Sequence, residues 1–205
     1  FIGSSLAFKL NSLGHRDLVI VDRLRSNIKW KNLRSLKFQE FIHADDFFSG
    51  EYDALIKDAK IIYHLGASSS TTVTDMDYLM RNNVHFSQRL FQIAAKQKIP
   101  FVYASSAATY GGGELGYSEA LDHLSKLRPL NPYGYSKQIF DEWVLRQKIK
   151  PPQWYGLKFF NVYGPHEYHK EDMRSLVCKA HQQIKSTGAV RLFKSYKEGF
   201  LDGKQ

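Results

Sequence analysis

Cysteine is almost missing from this chain of 205 residues, with Cys178 standing alone. One thiol excludes a disulfide framework and a zinc site built from several thiolates. Long hydrophobic runs are missing too. With a mean hydropathy of −0.41, no segment is expected to cross a bilayer. No basic stretch precedes an apolar one near the start, so no secretion signal is expected. These absences predict a reducing, cytoplasmic setting. There is no repeat, low-complexity tract or flexible linker. What is present, 43% hydrophobic and 14% aromatic residues, can bury a sizeable core without covalent staples. The first residue is Phe1 rather than Met, and a shortened chain is the expectation.

Acids are scarce: 20 Asp plus Glu face 29 Lys plus Arg, for a net charge of +9. Such an excess favours anionic partners. It concentrates just after Asp22, where Arg23, Arg25, Lys29, Lys31, Arg34 and Lys37 follow one another with no further acid. Nucleic-acid binding would require exposed aromatics among the cations or a recognisable module, and neither is found. A solvated basic face and a phosphate-rich small ligand remain, the second being the functional reading.

Short apolar runs alternate with helical patterns. Leu18–Val21 ends at Asp22, Ile61–Tyr63 at His64-Leu65-Gly66, Phe101–Tyr103 at Ala104-Ser105-Ser106, and Tyr155–Phe160 at Asn161. Continuous apolar runs suit strands buried on both faces. Helical patterns lie between them over Ser4–Leu13, Met76–Gln97 and Tyr133–Gln147. This order predicts a doubly wound α/β fold, a parallel sheet with helices on both sides. Ligands of such folds gather beyond the C-terminal strand ends, which here are Asp22, Gly66-Ala67, Ser105-Ser106 and Asn161.

Gly3 opens the first helix, and Asp22 lies nineteen positions later. That matches the distance from the last glycine of a dinucleotide fingerprint to the acid that binds the adenine ribose. Only one glycine of the fingerprint is present, and any helix can begin with Gly-Ser. The rest of the fingerprint and a first strand would then be absent. Tyr133 and Lys137 are four apart and share a helix face. A lysine ammonium beside a phenol is expected to draw the phenol pKa down toward working pH, making Tyr133 fit to take a proton from a sugar hydroxyl. A Tyr-x-x-x-Lys pattern also arises by chance in helices; Ser105-Ser106 at a strand end some thirty residues earlier adds weight. Tyr135 competes but has no lysine four residues on. His166-x-x-His169 with Glu167 between lacks a third donor at metal-binding spacing, so substrate-loop histidines are the expectation. Cys178 is expected to be buried in a helix and inert.

Several stretches together resemble the extended short-chain dehydrogenase/reductases, the NAD-dependent epimerase/dehydratase family. They are Phe1–Ser4, Gly66–Thr72, Asn82-Asn83, Tyr103–Gly112, Pro129–Lys137 and Phe160–Pro165. The Ser-Ser-x-x-Thr-Tyr-Gly, Tyr-x-x-x-Lys and Phe-Asn-Val-Tyr-Gly-Pro elements mark the superfamily. Ser69-Ser70-Thr71-Thr72 and His169-Lys170 are similar to the branch that inverts C6 of an ADP-linked heptose for lipopolysaccharide core assembly. The resemblance runs the whole length. It implies a Rossmann-like fold truncated at the first strand and in the C-terminal substrate-binding part, with 1–160 as the dinucleotide-binding domain and 161–205 as the start of the substrate-binding portion.

Residue by residue, the resemblance implies Tyr133 and Lys170 as two acid/base groups on opposite faces of the sugar. Lys137 would tune Tyr133 and hold the cofactor, and Ser106 would support the substrate oxygen. Phe1, Ile2, Asp22, Arg23 and Lys29 would contact the adenosine half of the cofactor. Leu65, Gly66, Ala67, Ser68, Ser69 and Asn82 would line its middle, and Val162 and Lys170 its nicotinamide end. Asn161 would face the substrate. Asp172 and Lys179 stand where the family commonly has Ser and His substrate contacts, and Arg23 replaces a small polar residue, so the sugar site is expected to be altered. NADP is the expected cofactor, with NAD the alternative: Asp22 suits a free 2′-hydroxyl, whereas Arg23, Arg25 and Lys29 suit a 2′-phosphate. An ADP-sugar substrate and a homo-oligomer are also implied, with no nucleic acid or membrane partner. Ala107 and Ala108 occupy the positions where a dehydratase needs an acid pair. A UDP-hexose 4-epimerase using Tyr133 alone and a non-catalytic nucleotide-binding fragment remain as alternatives.

Overall fold

The structure, a computed structural model, describes residues 1–192, 194–195 and 198–203. The chain divides into two compact units, Phe1–Phe160 and Asn161–Gln205.

In the first unit, α1 (Ile2–Ser12) leads to β1 (Val19–Asp22), which pairs in parallel with β2 (Glu40–His43) from Val19↔Glu40 to Asp22↔His43. Next come α2 (Asp53–Asp58) and β3 (Ile62–His64). The long helical pattern is realised in three parts: α3 (Met76–Leu79), a wider π-type turn over Met80–His85, and α4 (Phe86–Gln97). Lys98 closes α4 in the left-handed conformation, and Pro100 precedes β4 (Phe101–Ser106). The unit ends with α5 (Pro132–Arg146) and β5 (Trp154–Phe159). β4 lies between β3 and β5, parallel to both, with Tyr103 opposite Gly156 and Ser105 opposite Lys158. The second unit carries α6 (Leu176–Thr187).

This is a parallel-sheet, Rossmann-like α/β fold. The expected strands occur within one residue of their predicted bounds, except that β4 runs three residues further, to Ser106. β2 escaped prediction because only two of its four residues are apolar, and α2 because its six residues are too few to display a helical period.

Two expectations need correction. The strands form two sheets, β1-β2 and β3-β4-β5, rather than one. A single core joins them: Ile42 of β2, Phe47 and Ile56 belong to the same cluster as Phe91, Phe101, Tyr103, Phe140 and Val144. Its aromatic rings meet edge-on, Phe91 against Phe101 and Tyr103 against Phe140, an arrangement favoured by their quadrupoles. β5, expected to be buried on both faces, exposes Tyr155 by 56% and Leu157 by 42%. These residues are two apart and share one face, and among the described residues β5 pairs only with β4. No helix among the described residues is long and apolar enough to cross a membrane.

Candidate active site

The buried strand β4 delivers Ser105 and Ser106 to its C-terminal end. Ser106 caps the following turn, its Oγ accepting from the Ala108 amide at 3.1 Å. α5 starts beside that turn. Asn131 caps it by accepting from the Gly134 amide at 2.8 Å, and Pro132 occupies the first turn, where its missing N–H costs nothing. A Cβ on Gly134 would come within 2.6 Å of the Ala108 carbonyl oxygen, so glycine is required for this approach. The sequence Asn-Pro-Tyr-Gly therefore places Tyr133 near Ser106, whose hydroxyl acts to lower the phenol pKa.

Lys137, one turn further on, is 5% exposed and donates from Nζ to the Ala104 carbonyl at 2.8 Å. Burial pulls its pKa down to about 8, while Asp141 opposes the fall. The expectation that Lys137 would depress the Tyr133 phenol is corrected. Burial raises the Tyr133 pKa above its usual 10, against the lowering effect of the Ser106 hydroxyl, and Asp141 raises it further. The Lys137 ammonium is turned to a backbone carbonyl instead. Tyr135, the competing candidate, is 52% exposed.

The loop after β3 is held by a residue that the sequence reading named within the Asn82-Asn83 stretch but gave no role. Asn83, fully buried in the π-type turn, accepts from the Ser68 amide at 2.8 Å and donates to the Ser68 carbonyl at 2.9 Å. It also donates to Ser136 Oγ at 3.0 Å, and Ser136 donates to the Tyr133 carbonyl at 2.7 Å. One amide thus ties the loop carrying Leu65, Gly66, Ala67, Ser68 and Ser69 to the helix of Tyr133. Its neighbour Asn82, singled out from sequence, is half-buried and donates to the Tyr78 carbonyl. π-type turns frequently mark functional sites, but nothing in the one-letter pattern distinguishes Asn83 from Asn82.

At the end of β1, Asp22 Oδ1 accepts from Lys29 Nζ and from the Arg23 amide, each at 2.7 Å. The Arg23 guanidinium binds Asp45, which sequence reasoning missed; that bond raises the Arg23 pKa and lowers that of Asp45. Arg25 donates to the Tyr78 hydroxyl at 3.0 Å, lowering the phenol pKa. Phe1 and Ile2 form the start of α1 and are half-buried. A Cβ at Gly3 or at Gly66 would meet no atom within 4 Å. The open backbone at Gly66, the paired Asp22 and the buried Lys137 fit a dinucleotide.

In the second unit, Asn161 is exposed and Val162 half-buried. Glu167, 2% exposed, closes the loop: it accepts from the Gly164 amide at 3.2 Å, the Ser175 amide at 2.6 Å and Ser175 Oγ at 2.8 Å. The Lys170 amide donates to the Glu167 carbonyl at 3.0 Å. Lys179 Nζ donates to the Asp172 carbonyl, and both residues line an open cavity of about 350 Å³ with Arg174 and Gln182. Cys178 is half-exposed rather than buried, because α6 has no fully covered face among the described residues. No group of three or more His, Cys, Asp or Glu side chains able to hold a metal occurs among the described residues.

Known proteins add a family. All of residues 1–205 match the NAD dependent epimerase/dehydratase family. The chain belongs to that family. It is 49% identical to a curated ADP-L-glycero-D-manno-heptose-6-epimerase of Fusobacterium nucleatum over 209 aligned residues, covering 100% of this chain and 62% of the relative. Identity to a protein of the same name from Nitratidesulfovibrio vulgaris is 46%, covering 100% of this chain and 64% of that one. The chain therefore spans less than two thirds of the length of these family members. The crystal structure of Helicobacter pylori ADP-L-glycero-D-manno-heptose-6-epimerase superposes with a TM-score of 0.81 at 33% identity, over 94% of this chain and 62% of that one. UDP-glucuronic acid 4-epimerase from Bacillus cereus, a complex with NAD, gives a TM-score of 0.69 at 25% identity, over 90% and 60%.

Proposed function

We propose that the protein inverts one carbon, C6, of an ADP-linked heptose, as the names of its relatives suggest. The observation that carries the reading is the cluster of Ser106, Tyr133 and buried Lys137: a phenol near a strand-end hydroxyl, with a buried lysine one turn further along the same helix. A nicotinamide dinucleotide, when bound, supplies hydride acceptance and return. Phe1, Ile2, Asp22, Arg23 and Lys29 hold its adenosine half in this reading, Leu65, Gly66, Ala67, Ser68, Ser69 and Asn82 its middle, and Lys137, Val162 and Lys170 its nicotinamide end. Ser106 steadies the sugar oxygen. Tyr133 accepts the hydroxyl proton as the sugar becomes a ketone and returns a proton when the hydroxyl re-forms. Lys170 is the second acid/base group, and Asn161, Asp172 and Lys179 contact the substrate.

NADP is the proposed form of the cofactor. Lys29 neutralises Asp22, so a 2′-phosphate there meets a compensated carboxylate rather than a bare one. Extraction of the cofactor from the full-length protein should release NADP; release of NAD alone overturns this choice. The activity is tested by incubating the full-length protein with an ADP-heptose of one C6 configuration and following the C6 proton by NMR. Conversion to the other epimer is expected. Inertness toward ADP-heptose with interconversion of UDP-hexoses would replace the reading by a 4-epimerase.

A further inference from the structure

Behind the Tyr133–Lys137 pair lies a second charged pair that the proposed chemistry does not use. Asp141, 4% exposed, sits one helical turn beyond Lys137 on α5. Its Oδ2 accepts from Ser105 Oγ at 2.6 Å and from Lys158 Nζ at 2.9 Å. Lys158, on β5 opposite Ser105, also donates to Thr109 Oγ1 at 2.7 Å and lies over the Tyr110 ring at 5.2 Å. Thr109 Oγ1 in turn donates to the Ser106 carbonyl at 2.8 Å. A chain of contacts thus runs from Asp141 through Lys158 and Thr109 to the backbone of Ser106, whose hydroxyl acts on the Tyr133 phenol.

We propose that the buried Asp141–Lys158 pair is the positioning device of this site: through Thr109 it fixes Ser106, and through its negative member it sets the electrostatic environment of Tyr133 and Lys137. The inference rests on the acid/base reading of those two residues. The alternative, a purely structural bolt between α5 and β5, is the ordinary role of a buried ion pair. The two differ in what the carboxylate does to its neighbours.

The surrounding groups come from four elements. Lys137 meets the Ala104 carbonyl from β4, the uncharged His64 from β3 and Asp141 from its own helix. Tyr133 meets Ser106 and Asp141. Asp141 also acts on Tyr103 of β4 and on Tyr110 of the turn after it, raising both phenols. Burial drives Lys137 down and Tyr133 up, whereas Asp141 drives both up. The signs therefore separate the two explanations. If Asp141 acts by charge, neutralising it lowers both pKa values. If it acts only as a bolt, its loss lets water in, which lowers Tyr133 but raises Lys137.

The experiment is NMR titration of the chain labelled with ¹³C at lysine Cε and tyrosine Cζ, with Lys137→Met and Tyr133→Phe supplying the assignments. Asp141→Asn strands the Lys158 ammonium, so the double variant Asp141→Asn/Lys158→Met, which leaves no unpaired charge, is measured beside it. In whichever of the two folds, Lys137 and Tyr133 should each titrate at least about half a pH unit lower than in the parent, the scale expected for a partly compensated charge. Asp141→Glu should restore both. A folded variant in which Lys137 rises, or in which neither group moves, overturns the proposal. A parent chain in which Lys137 titrates at the ordinary lysine value would count against the acid/base reading itself, a failure recognisable before any variant is made.

Discussion

The first unit holds ion pairs in two settings. At the end of β1, Lys29–Asp22 and Arg23–Asp45 are substantially solvated, with side chains 23% to 59% exposed. Beneath Tyr133, Asp141 and Lys158 are 4% and 19% exposed, with Ser105 bonded to Asp141 Oδ2 and Thr109 to Lys158, while Asp141 Oδ1 has no hydrogen-bond partner among the described residues. Solvated pairs contribute little to stability and are free to exchange partners, whereas a buried pair is costly to break. The solvated cluster is thus suited to receiving a charged ligand, and the buried one to holding geometry. His64 and Lys137 sharpen the contrast: both lie on the buried side, and both have lost affinity for a proton because burial disfavours the charged form.

The largest effect that tests this division is kinetic. On the proposed function, Tyr133→Phe removes an acid/base group and should lower kcat of the full-length protein by about 10²–10⁴-fold, with nucleotide binding retained. Loss of less than tenfold would place the proton transfer elsewhere.

His64 gives the largest effect on stability. Its pKa is pushed down to about 3, chiefly by burial and secondarily by Lys137. Below the unfolded value near 6.5, the unfolded chain takes up a proton that the folded chain refuses, so stability falls as pH drops toward 3. Between pH 7 and pH 4.5 the loss should be about 2–3 kcal/mol. Urea unfolding at the two pH values checks it, with His64→Asn reducing the difference.

Lys137 should show the same sign in a higher pH window. Folding lowers its pKa to about 8, so the folded chain resists its proton at neutral pH, and the penalty fades as pH rises from 8 toward 10.5. Replacing it with methionine should raise stability by about 1–3 kcal/mol at pH 7 while lowering activity. A destabilised Lys137→Met would mean that its bond to Ala104 outweighs the burial of its charge.

The smallest effect belongs to the solvated cluster. Lys29→Ala should change stability by no more than about 0.5 kcal/mol, yet weaken NADP binding more than NAD binding, as calorimetry on the full-length protein would register. Equal losses for both would remove Lys29 from phosphate recognition.

The alternation of apolar runs and helical patterns, and hence the α/β class, was legible in the chain because buried strands and helices leave different periods in it. Around Tyr133 the sequence carried only the Tyr-x-x-x-Lys spacing and the family stretch; the structure added Asn131 as cap, Pro132 in the first turn and Gly134 at the close approach to Ala108. Packing alone fixed which of Asn82 and Asn83 is buried, which acids pair with which cations, and that Asp45, Asp141 and Lys158 matter. Those partners lie 22 residues apart for Arg23 and Asp45 and 17 for Lys158 and Asp141, separations at which no periodicity survives. The direction of the Tyr133 shift was beyond sequence for the same reason. A Tyr-x-x-x-Lys spacing places an ammonium near a phenol, but desolvation and the charge of Asp141, both products of packing, determine which way the proton equilibrium moves.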